Sequence, residues 1–196
     1  MPDGNNPRSS GAGRLTIVLV AITAVTALLL GFVYELTKDQ IAESNREKLD
    51  TAMLEVMPDA DHFDLVEDLE LSDPVTSIYR AISGESEVGY CVLAAPKGFG
   101  GEIELAIGIN SDLTVNDLRI ISMSETPGLG TKTNDPVFLK QYIGKSGELK
   151  LYKSGGSGDI AAISGATRSS TAITNGVNAA IAAVGTLSVA ATEVEP

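Results

Sequence analysis

"GEIELAIGIN", Gly101 to Asn110, sets Ile103, Leu105, Ile107 and Ile109 on alternate positions, with Glu102, Glu104, Ala106 and Gly108 between them. Successive side chains on an extended backbone point to opposite faces, so this period of two predicts a β-strand with one buried face. Three neighbouring runs share the strand character: "VTSIYRAI" and "EVGYCVLAA" before it, and "LTVNDLRIISM" after it. Turn formers at Ser83-Gly84, Gly98 to Gly101 and Asn110-Ser111-Asp112 separate the runs at hairpin spacing. Further along, Ala172, Ile173, Gly176, Val177, Ala180, Ile181 and Val184 recur at i, i+3, i+4, i+7, which is one face of a helix packed on a core. Strands followed by helices predict an α+β domain with a largely antiparallel sheet and flanking helices.

Outside this region the chain changes character. "LTIVLVAITAVTALLLGFVY", Leu15 to Tyr34, carries no charge and has the length of a bilayer-crossing helix. A cleaved secretory signal is the competing reading, because Val25 and Ala27 offer small residues at suitable spacing; the apolar run continues past them through Leu30 and Val33. A buried core helix is weaker, since the run has only Thr16, Thr23 and Thr26 where a polar stripe would lie. Arg8 and Arg14 precede the span and Lys38, Arg46 and Lys48 follow it, so basic residues alone do not orient it. The expected organisation is a disordered tail over residues 1–14, a transmembrane helix over 15–34, a linking helix and connector over 35–74, a domain over 75–185 and a flexible tail over 186–196. In the connector, Ile41, Leu49, Met53 and Val56 keep to one helical face before Pro58 stops the helix.

The formal net charge is −12, and only Asp3, Arg8 and Arg14 are charged before Tyr34, so the acidity belongs to the rest of the chain. Such a surface repels phosphate backbones and anionic lipid heads, which argues against nucleic-acid binding and leaves membrane attachment to the apolar span. The single Cys91 excludes an intrachain disulfide or a four-cysteine metal site, and mid-strand it reads as a small buried hydrophobe. The lone His62 has no second ligand at metal spacing and reads as a surface residue. Tyr79, Tyr90 and Phe99 read as core or loop packing ahead of stacking on a ligand.

Two loops ask for a ligand. In "SGATRSS", Ser164 to Ser170, hydroxyls flank Gly165 and Ala166, which leave backbone bare where the last helix begins. A helix N-terminus with open N–H groups and nearby hydroxyls suits phosphate; a plain capped helix is the alternative. In "SETPGLGTK", Ser124 to Lys132, Thr126-Pro127-Gly128-Leu129 matches a type II turn, with Pro presetting φ and Gly accepting a positive φ. So little side chain lets backbone approach a flat ligand, with Glu125, Thr126 and Lys132 as polar contacts; a rigid surface turn explains the same residues.

The two loops in this order, separated by "DPVFLKQYIGK", resemble RnfG, a component of the Rnf-type ion-translocating ferredoxin:NAD+ oxidoreductase, an electron transport complex. The flavin-binding domain of that family is shared with NqrC, a component of the sodium-translocating NADH:quinone reductase. The resemblance covers tail, span, linking helix and domain. It implies a covalent FMN on Thr167, joined through a phosphoester when a flavin transferase directs the Thr hydroxyl onto the pyrophosphate of FAD and AMP leaves. It further implies Ser164, Gly165 and Ala166 around the phosphate, and Glu125, Thr126, Pro127, Gly128, Leu129 and Gly130 near the ring system. No catalytic acid or base and no metal site is expected. The implied partners are the other subunits of the membrane redox complex, the transferase and the lipid bilayer through residues 15–34. The implied location is the cytoplasmic membrane, with the N-terminus inside and the flavin domain on the extracytoplasmic side. One position departs from the usual pattern: the Asp expected six residues before the acceptor is Ala161, and the nearest acid is Asp159. The alternatives are the quinone-reductase component, a reversible flavin-binding module and an assembly subunit without flavin.

Overall fold

A computed structural model describes residues 9–67, 69–153 and 155–192, in two units that divide between Glu47 and Lys48. Helix α1, Ser9–Val56, supplies the first unit and the opening turns of the second. Over its apolar run Leu15, Ile17, Leu28 and Phe32 are all exposed, so no protein core covers them. The hydroxyls of Thr23 and Thr26 donate to Leu19 O, Val20 O and Ile22 O of the same helix, so these polar groups need no water. This is one helix long and apolar enough to span a bilayer, and it gives the chain a membrane anchor. Residues 9–14, expected to be disordered, are helical, because an existing helix gains a hydrogen bond for each residue it adds. Residues 1–8 of that tail lie outside the described residues.

The second unit is built on a five-stranded antiparallel meander in sequence order: β1 His62–Leu65, β2 Val75–Ser83, β3 Ser86–Ala94, β4 Ile103–Asn110 and β5 Val115–Met123. The four predicted strands are β2 to β5. Strand β1 reads in the sequence only as charged connector: its side chains are mostly exposed, and it exists because its backbone pairs with the edge of β2, His62 opposite Ile82 and Leu65 opposite Tyr79. The chain then forms a 3-10 turn, Gly130–Asn134, a short helix α2, Pro136–Leu139, a parallel pair β6 Leu151–Tyr152 and β7 Ile160–Ala161, and helix α3, Thr167–Thr192. Asp135 caps α2, accepting from Val137 N at 2.8 Å, and Pro136 sits at its start, where no N–H is needed.

The predicted stripe of α3 packs on one face of the sheet, where Ile173, Val177, Ala180 and Val184 meet Leu105, Ile107, Ile109 and Leu118. The other face is covered as well: Met53, Val56 and Met57, from the end of α1 and just beyond, pack with Ala81, Cys91 and Ala106. Strand β4 therefore departs from the expected single buried face, since Ala106 is as buried as its neighbours. The compact unit accordingly starts at Lys48, ahead of the boundary expected at residue 75, because β1 and the last turns of α1 complete the sheet. At the other end, α3 runs on to Thr192 where a flexible tail is expected: no Gly or Pro interrupts residues 186–192, and Leu187 packs against the core. Residues 193–196 lie outside the described residues.

Gly108 shows how closely α1 approaches. A Cβ there would lie 2.3 Å from Val56 O, which already accepts from Asn116 Nδ2 at 2.7 Å. Gly108→Ala must push the end of α1 off the sheet, and overpacking of this kind costs roughly 1–3 kcal/mol. The expected result is a lower midpoint of denaturant unfolding at unchanged slope; an unchanged midpoint would show that Val56 does not seat on β4. Cys91 is fully buried, as expected, and burial pushes its thiol up to about 12, so it stays uncharged and unreactive.

Candidate functional site

Three loops meet at one end of the sheet. The β3–β4 connection turns tightly, Gly98 N donating to Gly101 O at 2.7 Å. After β5, Thr126 to Leu129 forms the predicted turn: Leu129 N donates to Thr126 O at 3.2 Å, and Gly128 has φ +75°. The third loop is the approach to α3, where Gly165 reverses the chain at φ +81°. Gln141 pins that approach through the backbone of Ala161, its Oε1 accepting from Ala161 N at 2.8 Å. Ser170 Oγ closes it, accepting from Ile163 N at 3.2 Å and donating to Ala166 O at 3.0 Å.

Glu125 ties the loops together. Its carboxylate is buried, Oε1 accepting from Phe99 N at 2.7 Å and Oε2 from Ser169 Oγ at 2.9 Å. A Cβ on Gly98 would fall 2.1 Å from Oε1, and one on Gly130 2.3 Å from Oε2. These glycines exist so that two backbones can close around one carboxylate. Where sequence reasoning offers Glu125 as a ligand contact, the structure commits its oxygens to protein donors.

Between the loops lies a cleft of about 120 Å³. Of the predicted site residues, Glu125, Thr126, Leu129, Gly130, Gly165 and Ala166 line it. Pro127 and Gly128 form the exposed outer arm of the turn, and Ser164 is exposed on the far side of Gly165. Thr167 is half-buried at the first position of α3, between two lining residues, Ala166 and Arg168. Lys132 is exposed and takes no part in the lining. Asp159 is committed elsewhere, its Oδ2 accepting from Lys150 N at 2.9 Å.

Sequence reasoning missed Arg168, Ser169 and Phe99 as lining residues. The position of Arg168, directly after the candidate acceptor, is the signal that could have found it. Phe99 departs from the expected packing role: it is 68% exposed at the cleft, because its backbone N–H is drawn to Glu125 and its ring is left outside.

The hydroxyls around the start of α3 sort themselves by hydrogen bonding. Ser169 and Ser170 are buried and engaged as described. Thr171 Oγ1 donates to Thr167 O, and Thr174 Oγ1 to Ser170 O. Among the described residues Thr167 Oγ1 and Ser164 Oγ make no hydrogen bond, and of these only Thr167 stands on the helix. The first intrahelical bond runs from Ser170 N to Ala166 O, so the amides of Thr167, Arg168 and Ser169 have no acceptor among the described residues. Ala166, preceding the helix, has no side chain that could cap them. Open amides, the positive end of the helix dipole and an unengaged hydroxyl make a donor set fitted to a phosphate group. Small-molecule pockets are roughly 300–1,000 Å³, so this cleft seats the phosphate end of a flavin nucleotide and leaves the flat ring on the rim, near exposed Phe99 and Leu129.

Two family descriptions match the chain: an FMN-binding domain over residues 98–182, and the N-terminal region of RnfG over residues 12–56. A relative from Methanosarcina acetivorans, the G subunit of an ion-translocating oxidoreductase complex, is 36% identical over 86% of this chain and 92% of its own. A second, the G subunit of a Na+-translocating ferredoxin:NAD+ oxidoreductase complex from Acetobacterium woodii, is 34% identical over 86% of this chain and 89% of its own. Among solved structures, the C subunit of a Na+-translocating NADH-quinone reductase from Parabacteroides distasonis shares the fold, with a TM-score of 0.51 at 19% identity over 71% of this chain and 93% of that one.

Proposed function

Because the chain belongs to the RnfG family of ion-translocating oxidoreductase complexes, we propose that it is the membrane-anchored electron carrier of such a complex, with FMN covalently attached at Thr167. The observation that carries the attachment is the hydroxyl of Thr167, without a protein partner among the described residues, on the first residue of a helix whose opening amides are also open. Flavin, when bound, supplies reversible one- and two-electron transfer. The chain supplies position. The amides of α3 hold the phosphate, and Gly165 and Ala166 keep side chains out of its way. Ser164 borders the turn, while Glu125 acts by locking the three loops together. Thr126, Pro127, Gly128, Leu129 and Gly130 give the ring a low wall of backbone, with Phe99 opposite.

Attachment makes one bond and breaks one. Thr167 Oγ bonds to the phosphorus on the FMN side of FAD, the P–O–P bridge opens, AMP departs and the hydroxyl proton is released. That step belongs to a separate flavin transferase. The remaining partners are the other subunits of the complex and the bilayer around residues 15–34. The N-terminus is taken as cytoplasmic and residues 75–185, on the compact unit that starts at Lys48, as the extracytoplasmic flavin domain. Identity to the RnfG relatives favours this reading over the quinone-reductase component, whose likeness lies in the fold.

Intact mass and peptide mapping of the full chain, co-produced with a flavin transferase, test the proposal. One FMN phosphoester on the peptide carrying Thr167 is expected. Flavin that leaves on denaturation would instead make the chain a reversible binder, and no flavin at all would favour an assembly subunit.

Ala161 adds a test of the departure from the usual pattern. Its own hydrogen bonds are made by its backbone, to Gln141 and through the pairing with Tyr152, so a new side chain leaves them intact. Ala161→Asp is expected to keep the unfolding midpoint and to raise the initial rate of flavin transfer several-fold. An unchanged rate would mean that the transferase does not read this position.

A further inference from the structure

Arg168 is the one cation lining the cleft, and it forms no salt bridge among the described residues. The other charge there, Glu125, is already bound by Phe99 N, Gly100 N and Ser169 Oγ. Ala166 and Ser169, on either side, are buried, and Arg168 is exposed, so its long side chain is free to move over the cleft. Direction favours that movement. Every Cα–Cβ bond in a helix tilts toward the N-terminus, so a side chain on the second residue of α3 leans back over the first, where Thr167 carries its hydroxyl.

We infer that Arg168 is the positioning residue for the flavin's phosphate, its guanidinium gripping the phosphodiester oxygens from outside while the amides of α3 hold them from within. The inference rests on the reading that flavin is attached at Thr167. A planar guanidinium can meet two phosphate oxygens at once, which fixes direction as well as supplying charge. A phosphodiester keeps one negative charge after attachment, and on so acidic a chain a nearby cation is what retains it in the cleft. The cleft is too small to enclose the ring, so the orientation of the flavin depends on how firmly its phosphate is held. Arg168 is thereby a determinant of where the ring points.

The test uses the full flavinylated chain in detergent, comparing wild type, Arg168→Gln and Arg168→Lys. The readouts are the phosphorus-31 resonance of the phosphodiester and the fluorescence anisotropy of the flavin, each at low and high salt. In Arg168→Gln the resonance is expected to move toward that of a free phosphodiester and the anisotropy to fall, with Arg168→Lys between the two. Raising salt should shift the wild type more than the Gln variant, because salt weakens the ionic part of the grip. Identical resonance and anisotropy in wild type and Arg168→Gln would overturn the role of Arg168 and leave the attachment reading standing. A wild-type chain with no flavin on Thr167 would overturn the attachment reading itself. If Arg168→Gln accepts no flavin, full loading of Arg168→Lys supports the phosphate role, and loss in both variants overturns it by making Arg168 a contact of the transferase.

Discussion

Thr167→Ala is expected to yield a folded chain of unmodified mass, with all covalent flavin gone. The loss is complete rather than graded because the hydroxyl oxygen is the atom that bonds to phosphorus. The fold should survive. Thr167 Oγ1 supports nothing in the protein among the described residues, and alanine suits a helix better than threonine does. Ser169 and Ser170 cannot substitute, since both are buried and hydrogen-bonded into the loop. Ser164 is exposed but lies before the turn, outside the reach of the first helical amides. Thr167→Ser is the matching control: it keeps the nucleophile and loses only the methyl group that restricts χ1, so it should accept flavin less completely than wild type. Mass spectrometry of the three proteins made beside the same transferase decides the matter. An adduct that persists in Thr167→Ala and maps to Ser164 would move the attachment point across the turn.

Glu125→Ala is expected to be the most damaging change at the site for stability and to abolish flavin loading indirectly. Removing the carboxylate strips acceptors from Phe99 N and Ser169 Oγ and opens the space that Gly98 and Gly130 enclose. Each buried donor left unsatisfied costs roughly 1–3 kcal/mol, so the pair costs about 3 kcal/mol, a large share of the roughly 5–15 kcal/mol that ordinarily holds a domain together. Glu125→Gln separates charge from shape. It retains the volume but turns one oxygen into an NH2 that must face Phe99 N–H or Ser169, so an intermediate loss is expected. Denaturant unfolding of the three chains checks the order. A Glu125→Ala protein with wild-type stability would mean that the loops are held by something other than this carboxylate.

Glycine separates what could be read along the chain from what could not. Gly128 and Gly165 announce themselves locally, the first in a Pro-Gly turn and the second between hydroxyls, and both adopt a positive φ. Gly98 and Gly130 look equally like turn residues, yet each is required by a single carboxylate from another part of the chain. Arg168 is similar. Its neighbour Thr167 belongs to a recognisable motif, but only the burial of Ala166 and Ser169 on either side turns Arg168 toward the cleft.

The sequence by itself determined whatever depends on near neighbours. It established the period of two in β2 to β5, the stripe of α3, the uncharged span of α1, the turn at Thr126 to Leu129 and the pairing of two loops around a phosphate-sized target. These follow from backbone geometry repeating over a few residues. Only the tertiary structure decided the rest. It paired charged β1 with β2, laid the end of α1 on the second face of β4 where Gly108 makes room, and sank Glu125 among three loops. It also left Thr167 alone of the helix's opening hydroxyls without a partner. Each of these is a meeting of residues distant in the chain, and its energy comes from pairing and burial between segments, which no local pattern encodes.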